Sequence, residues 1–405
     1  MLLCGTAAIF HLVFAKEFDV IASNSLAPTP INKVALTADR ISQGIKLLKD
    51  SPPLLYETTK KNLAGNLVRK QIAFAILNTN TGEIFQKRVW VKDVDIQNSK
   101  KIGIVPLTPA NQNETLNIQA VWWNSFNSVF EVADHPELVI IADKYQFLST
   151  DLSTLPERTK NKYTDIVYVP YSDALHLSNI IDAGKNYLES RINKAYEELD
   201  VNGVISRSTP GTLVTTDISK DFIRNILLVE HVDPAGFNLA TDGGLDLTER
   251  VLAIIGANQE LAYRYTGSPA GASGLAQFIR ASYLSTVAAY PKAQLIKDFK
   301  LGMADHTNAI KAMVLYFDSR KQELNNKVLR KDILNSLGIT EEMLAAAYNG
   351  GGGKVANSVN KYGMSWMTSQ LNLPSNKAIF KKETINYVLK FQAIKGLNLF
   401  ADINL

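Results

Sequence analysis

At 405 residues the chain exceeds what one compact core organises and implies two domains, or three. Hydrophobic residues make up 46% and charged residues 20%, an ordinary globular balance, and no run reaches the ~20 apolar residues of a membrane-spanning helix. The net charge of +4 comes without an arginine- or lysine-rich stripe, which argues against nucleic acid as a partner and leaves an anionic polymer compatible.

Residues 1–15 read as an export segment. The run 2–15 is apolar apart from His11, and Val13 and Ala15 suit cleavage after Ala15. A basic start is missing, and the alternative is a buried N-terminal helix or strand. Export predicts an extracytoplasmic protein, in the periplasm, at the cell surface or secreted. Cys4, the only cysteine, lies inside this segment. Leu3 stands where a lipoprotein signal wants a small residue, so lipidation is not expected. The mature chain then has no thiol, and its stability rests on packing.

Pro28 and Pro30 make residues 25–33 an extended linker. Residues 35–49 carry helical spacing and stop before Pro52 and Pro53. Two strand-like runs, 72–77 and 84–94, flank the turn composition of 78–82 and predict a hairpin. Further strands are expected over 102–107, 116–123 and 138–142. Trp122 and Trp123 either stack on sugars or, as paired strand aromatics usually do, place at least one ring in the core. An amphipathic helix over 174–199 bridges to the second half, and 201–216, with Pro210 and Gly211, is a loop or hairpin. The expected class is α+β: an N-terminal α+β domain over 30–200, and a mostly helical domain over 217–396. The boundary falls near 200–216.

Chemistry concentrates after residue 217. In the stretch 217–234, Asp217 or Ser219 caps a helix whose buried face is Phe222, Ile223, Ile226, Leu227 and Val229. Pro234 ends it near 231–233, which places Glu230 in the last turn above Ile226 and Leu227. Apolar neighbours and the negative end of the helix dipole both raise a carboxyl pKa there. An acid kept protonated near neutrality is what cleavage of a glycosidic bond needs. A second segment, 271–278, is rich in glycine and small residues that allow close backbone approach, with Ser273, Gly274 and the amide of Gln277. A third, 345–349, ends a small-residue helix in Tyr348 and Asn349 before four glycines. In a fourth, 382–388, Glu383 and Tyr387 stand four apart on one helix face.

In this order the four segments resemble the lytic transglycosylases of the soluble, goose-lysozyme-like class: a Glu ending an apolar helix, then GA-x-GL-x-Q, A-A-Y-N-x-G and E-T-x-x-Y-V. Here these are Glu230, 271–277, 346–351 and 383–388, with Ala309, Ala312 and Tyr316 at a matching packing helix. The resemblance covers about 180 residues of the second half. It implies a lysozyme-like helical domain, peptidoglycan glycan strands as substrate, no cofactor, and Glu230 as general acid. By the same resemblance Ser273, Gly274, Gln277, Tyr348, Asn349 and Tyr387 line the glycan cleft, with Tyr348 and Tyr387 near the acid. Glu383, Ile226 and Leu227 support the packing.

Three features depart from the pattern. About forty residues separate Glu230 from Gly271, His231 stands where Ser is common, and Arg280 where Pro is usual. The inserted residues 233–269 are placed as a wall of the cleft. Two outcomes stay open: a single acid giving 1,6-anhydro ends, or hydrolysis with Asp233, Asp242 or Asp246 as second carboxylate. A non-catalytic wall-binding protein is a further alternative, as is a docking role toward a cell-envelope protein for residues 30–200. The 242–246 segment lacks EF-hand spacing and reads as a turn into a helix, and His135, His176 and His306 show no metal-ligand spacing.

Overall fold

The computed structural model describes residues 36–401 other than 59–66, 93–104, 112–115, 123–127, 150, 151, 153, 269, 372, 375 and 376. The expectations for residues 1–15, for Cys4, for the 25–33 linker and for the Trp122 and Trp123 rings lie outside what is described. The chain is α+β, with its two larger sheets in the first half and a mostly helical second half.

Helix α1 (Ala38–Asp50) is capped by the Thr37 side chain. Strands β1 (Tyr56–Thr58), β2 (Leu67–Asn78), β3 (Ile84–Lys92), β4 (Val105–Pro106), β5 (Thr108–Pro109), β6 (Ile118–Trp122), β7 (Val129–Val132), β8 (Leu138–Leu148) and β9 (Tyr163–Tyr168) follow. The expected hairpin is β2–β3, antiparallel with Leu77 opposite Ile84. One antiparallel sheet runs β5-β3-β2-β8-β9, with β1 also on β2, and a second runs β4-β6-β7. The central strand β2 is apolar on both faces because both are covered. Ile72, Phe74 and Ile76 face the cluster with Ile118 and Phe130 of the small sheet. Ala73, Ala75 and Leu77 belong to the larger cluster shared with Ile41 and Leu48 of α1. Gly44 lets α1 approach closely, since a Cβ there would sit 2.7 Å from Ile141.

The bridging helix α2 (Ser178–Val201) is followed by α3 (Lys220–His231), α4 (Leu245–Asn258), the two-residue strands β10 (Ala272–Ser273) and β11 (Phe278–Ile279), α5 (Arg280–Ala289), α6 (His306–Lys327), α7 (Glu341–Gly350), α8 (Gly352–Tyr362) and α9 (Lys382–Leu397). Far from only spanning the halves, α2 is packed into the helical one. A Cβ on Gly184 would lie 2.0 Å from the Leu252 carbonyl oxygen, and one on Gly256 2.0 Å from that of Ile180, so α2 and α4 touch backbone to backbone. The inserted segment contributes a core element, with Val251, Leu252, Ala253 and Ile255 buried in α4. Its length supplies the apolar partner that α2 needs.

The 201–216 loop is tied down by acids. Asp318 of α6 accepts from Ser206 Oγ at 2.6 Å, from the amides of Arg207 and Ser208, and from Tyr290 Oη at 2.6 Å. The sheet meets the helices at Asn258, whose side chain pairs with both backbone groups of Val169 at 2.8 and 3.0 Å. No helix among the described residues is long and apolar enough to cross a membrane.

Candidate active site

Helix α3 delivers Glu230. Ser219 caps it by accepting from the Phe222 amide at 3.2 Å, and it ends at His231 with Val232 as its C-cap, ahead of Pro234. Phe222, Ile223, Ile226 and Leu227 are fully buried. The Phe222 ring meets those of Phe317 in α6 and Phe391 in α9 at 4.6 and 5.6 Å. The last turn is thereby fixed against two helices, and Glu230 keeps part of its own surface open.

Tyr387 Oη donates to Glu230 Oε1 at 2.5 Å. Burial raises the Glu230 carboxyl to about 7, against the lowering effects of that hydrogen bond and of the Lys390 ammonium. Tyr387 is itself pushed well above its ordinary value by burial and by the neighbouring carboxyl, so it stays a donor. The arrangement is an acid half-ionised near neutrality, with one oxygen held by a neutral hydroxyl. Such a group can give up a proton and take one back.

Lys390, one turn beyond Tyr387, is 5% exposed and donates to the Val232 carbonyl at 2.8 Å. It satisfies an orphan carbonyl at the end of α3, and burial lowers its pKa to about 8. Sequence reasoning missed it. Its signal was the i, i+3 spacing from Tyr387, easily taken for a solvated lysine.

The glycine loop stands against α3. Gly274 adopts φ of 73°, and a Cβ there would lie 2.4 Å from the Met303 carbonyl oxygen, so glycine is required on both counts. Ser273 is buried in β10, and Gln277, at φ of 48°, donates its side-chain amide to the Gly274 carbonyl at 2.7 Å. That bond uses one N–H of the amide and leaves the second N–H and the carbonyl oxygen to meet a ligand. Tyr348 sits close to the acid but does not bond it: its hydroxyl donates to the Ala276 carbonyl at 2.5 Å and its ring stacks on Phe317 at 5.1 Å. Asn349 is exposed and accepts from Thr384 Oγ1 at 2.7 Å. Glu383 is corrected from a packing residue: it is exposed in the first turn of α9, where a negative charge favours the positive end of the helix.

His231 lies flat on Tyr263, with ring centroids 3.6 Å apart and 19° between planes, and its Nε2–H donates to the Leu275 carbonyl at 2.7 Å. Burial depresses it to about 3, so it is neutral. His306 is likewise a neutral core residue, between Tyr187 Oη and the Ala262 carbonyl. The carboxylates weighed as partners of Glu230 have other tasks. Asp233 caps the turn Pro234–Phe237 through the Gly236 amide at 2.6 Å. Asp242 accepts from the Gly244 and Asp246 amides at the start of α4, and Asp246 lies 3.9 Å from His176. Among the described residues no group of His, Cys, Asp and Glu is arranged to hold a metal ion. Compared with protein-family models and with curated proteins, the chain matches none.

Proposed function

We propose that the protein is a peptidoglycan lytic transglycosylase with Glu230 as its single acid and base. The observation that carries this reading is the Glu230 carboxyl, raised by burial to about 7 with Tyr387 Oη on Oε1. Protonated Glu230 donates to the oxygen bridging N-acetylmuramic acid and N-acetylglucosamine as that bond breaks and the muramoyl C1 gains oxocarbenium character. The carboxylate so formed, stabilised by Tyr387 and Lys390, takes the proton of the muramoyl C6 hydroxyl as that oxygen attacks C1. The product is a 1,6-anhydro end, and Glu230 leaves the cycle protonated.

Hydrolysis is the second reading, and it asks for another carboxylate to place water or act as nucleophile. The capping duties of Asp233 and Asp242 weigh against it. The four sequence segments and their gathering around one acid favour catalysis over a purely wall-binding role. The substrate puts the site of action outside the cytoplasm.

The test is digestion of purified peptidoglycan by wild type and Glu230→Gln, with mass analysis of the released fragments. Anhydro ends released by wild type and lost in the variant are expected. Reducing ends would convert the reading to a hydrolase. No release by wild type would remove the enzymatic reading.

A further inference from the structure

We propose that His231 is a positioning residue, which with Tyr263 locks the loop carrying Ser273, Gly274 and Gln277 to the turn that carries Glu230. The proposal rests on the reading of Glu230 as the acid for what is being positioned, while the clamp itself is a matter of geometry.

Adjacent residues on a helix point about 100° apart, so a single turn serves two purposes. Glu230 reaches Tyr387 in α9, and His231 reaches the loop. Two consecutive loop carbonyls are then held from different sides. Leu275 accepts from His231 Nε2 at 2.7 Å, and Ala276 accepts from Tyr348 Oη at 2.5 Å. The next residue, Gln277, turns through a left-handed conformation and closes on Gly274. The loop's register relative to the acid is therefore set by one donor from α3 and one from α7.

The imidazole needs support to stay in place, and the inserted segment provides it. Tyr263 covers the face of the ring at 3.6 Å from a backbone with φ of 57°, a conformation that bulky residues rarely adopt. It is held there by packing: Tyr263 is 4% exposed, and the flanking Ala262 is buried, its carbonyl bonded to His306. Serine at position 231 has neither the reach to Leu275 nor a ring for Tyr263 to cover. The departure from the resembled pattern at His231 and the inserted segment thus act as one device.

The experiment uses the full chain with His231→Phe, which keeps a ring and loses the donor, His231→Gln, which keeps a donor and loses the ring, and Tyr263→Ala. Two readouts are taken: amide hydrogen exchange over residues 271–278, and initial rates on peptidoglycan across pH. His231→Phe and Tyr263→Ala are expected to speed loop exchange roughly tenfold or more and to raise KM by a similar factor, because a buried carbonyl has lost its donor or that donor its support. The expected change in kcat is no more than about threefold, with the pH limb of Glu230 unmoved, and His231→Gln recovers part of the KM. Loop exchange unchanged in both His231→Phe and Tyr263→Ala would overturn the clamp. So would a fall in kcat at constant KM, or a displaced pH limb, since His231 would then act on the acid itself. If His231→Phe does not fold, Tyr263→Ala decides alone. If wild type releases nothing from peptidoglycan, the functional reading fails and the exchange measurement still decides the clamp.

Discussion

At the scale of single residues, an acid held near pH 7 has a stability consequence whose sign is fixed. The folded pKa of Glu230, about 7, lies above the ordinary 4.5. Stability is therefore fully present below pH 4.5 and is lost as pH rises through 7. Glu230→Gln, which retains an acceptor for Tyr387, is expected to match wild type near pH 4 and to exceed it at pH 8 by on the order of 2–3 kcal/mol. Denaturant unfolding at the two pH values checks this, and equal differences at both would show that the carboxyl is not perturbed. The proposed activity should carry the matching signature, with a rate expected to fall about tenfold per pH unit above the Glu230 pKa. Tyr387→Phe and Lys390→Met each remove a group that favours the carboxylate, so both should move that limb to higher pH, and Lys390→Arg should move it least. A limb shifted downward in either would contradict the assignment. Glu230 and Tyr387 were legible in the sequence because apolar spacing, a cap and a proline fix where α3 ends, and because i, i+4 spacing sets a helix face. Lys390 and His231 were not. Their roles depend on which backbone carbonyl another segment brings within 3 Å, and no local pattern records that.

At the scale of elements, α3 owes its position to α2 as much as to its own apolar face. Glu189 of α2, 2% exposed, pairs with Arg224 of α3, which also holds Asp221 at 2.6 Å. Removing Glu189 leaves Arg224 with Asp221 alone, so Glu189→Ala should cost about 1–3 kcal/mol. The glycine contact between α2 and α4 makes a second demand. Gly184→Ala forces a methyl group into the Leu252 carbonyl and should cost about 1–3 kcal/mol or more, although alanine is the better helix former. Gly184→Ala stabilising the protein in thermal or denaturant unfolding would mean that the two helices do not touch there. The sequence announced α2 by its amphipathic period and α3 by its cap and proline. It could not announce their pairing, since a glycine at a helix crossing and a glycine tolerated in an exposed turn look alike without the partner. The hairpin β2–β3 was legible for the opposite reason: its pairing is local, and the turn composition at 78–82 sets the register.

At the scale of the whole molecule, the compositional change near residue 217 marks where the proposed site begins, and the core that supports it begins earlier. Ile180, Ile181, Leu188, Ile192, Ala195, Tyr196 and Leu199 of α2 belong to the same buried cluster as Ile223 and Ile226 of α3 and Val251, Leu252 and Ile255 of α4. Burying a large aliphatic side chain is worth about 1.5–3 kcal/mol, so the five in α2 contribute on the order of the 5–15 kcal/mol by which folded domains are stable. The Glu189–Arg224 pair would be broken at the same stroke, leaving Arg224 without its buried partner. A chain of residues 205–401, which keeps every proposed site residue, should therefore show no cooperative unfolding transition and no activity on peptidoglycan. A chain starting at residue 36 should show both. If 205–401 unfolds cooperatively and cleaves, then α2 is dispensable scaffolding, and the support for Glu230 lies wholly within α3, α6 and α9.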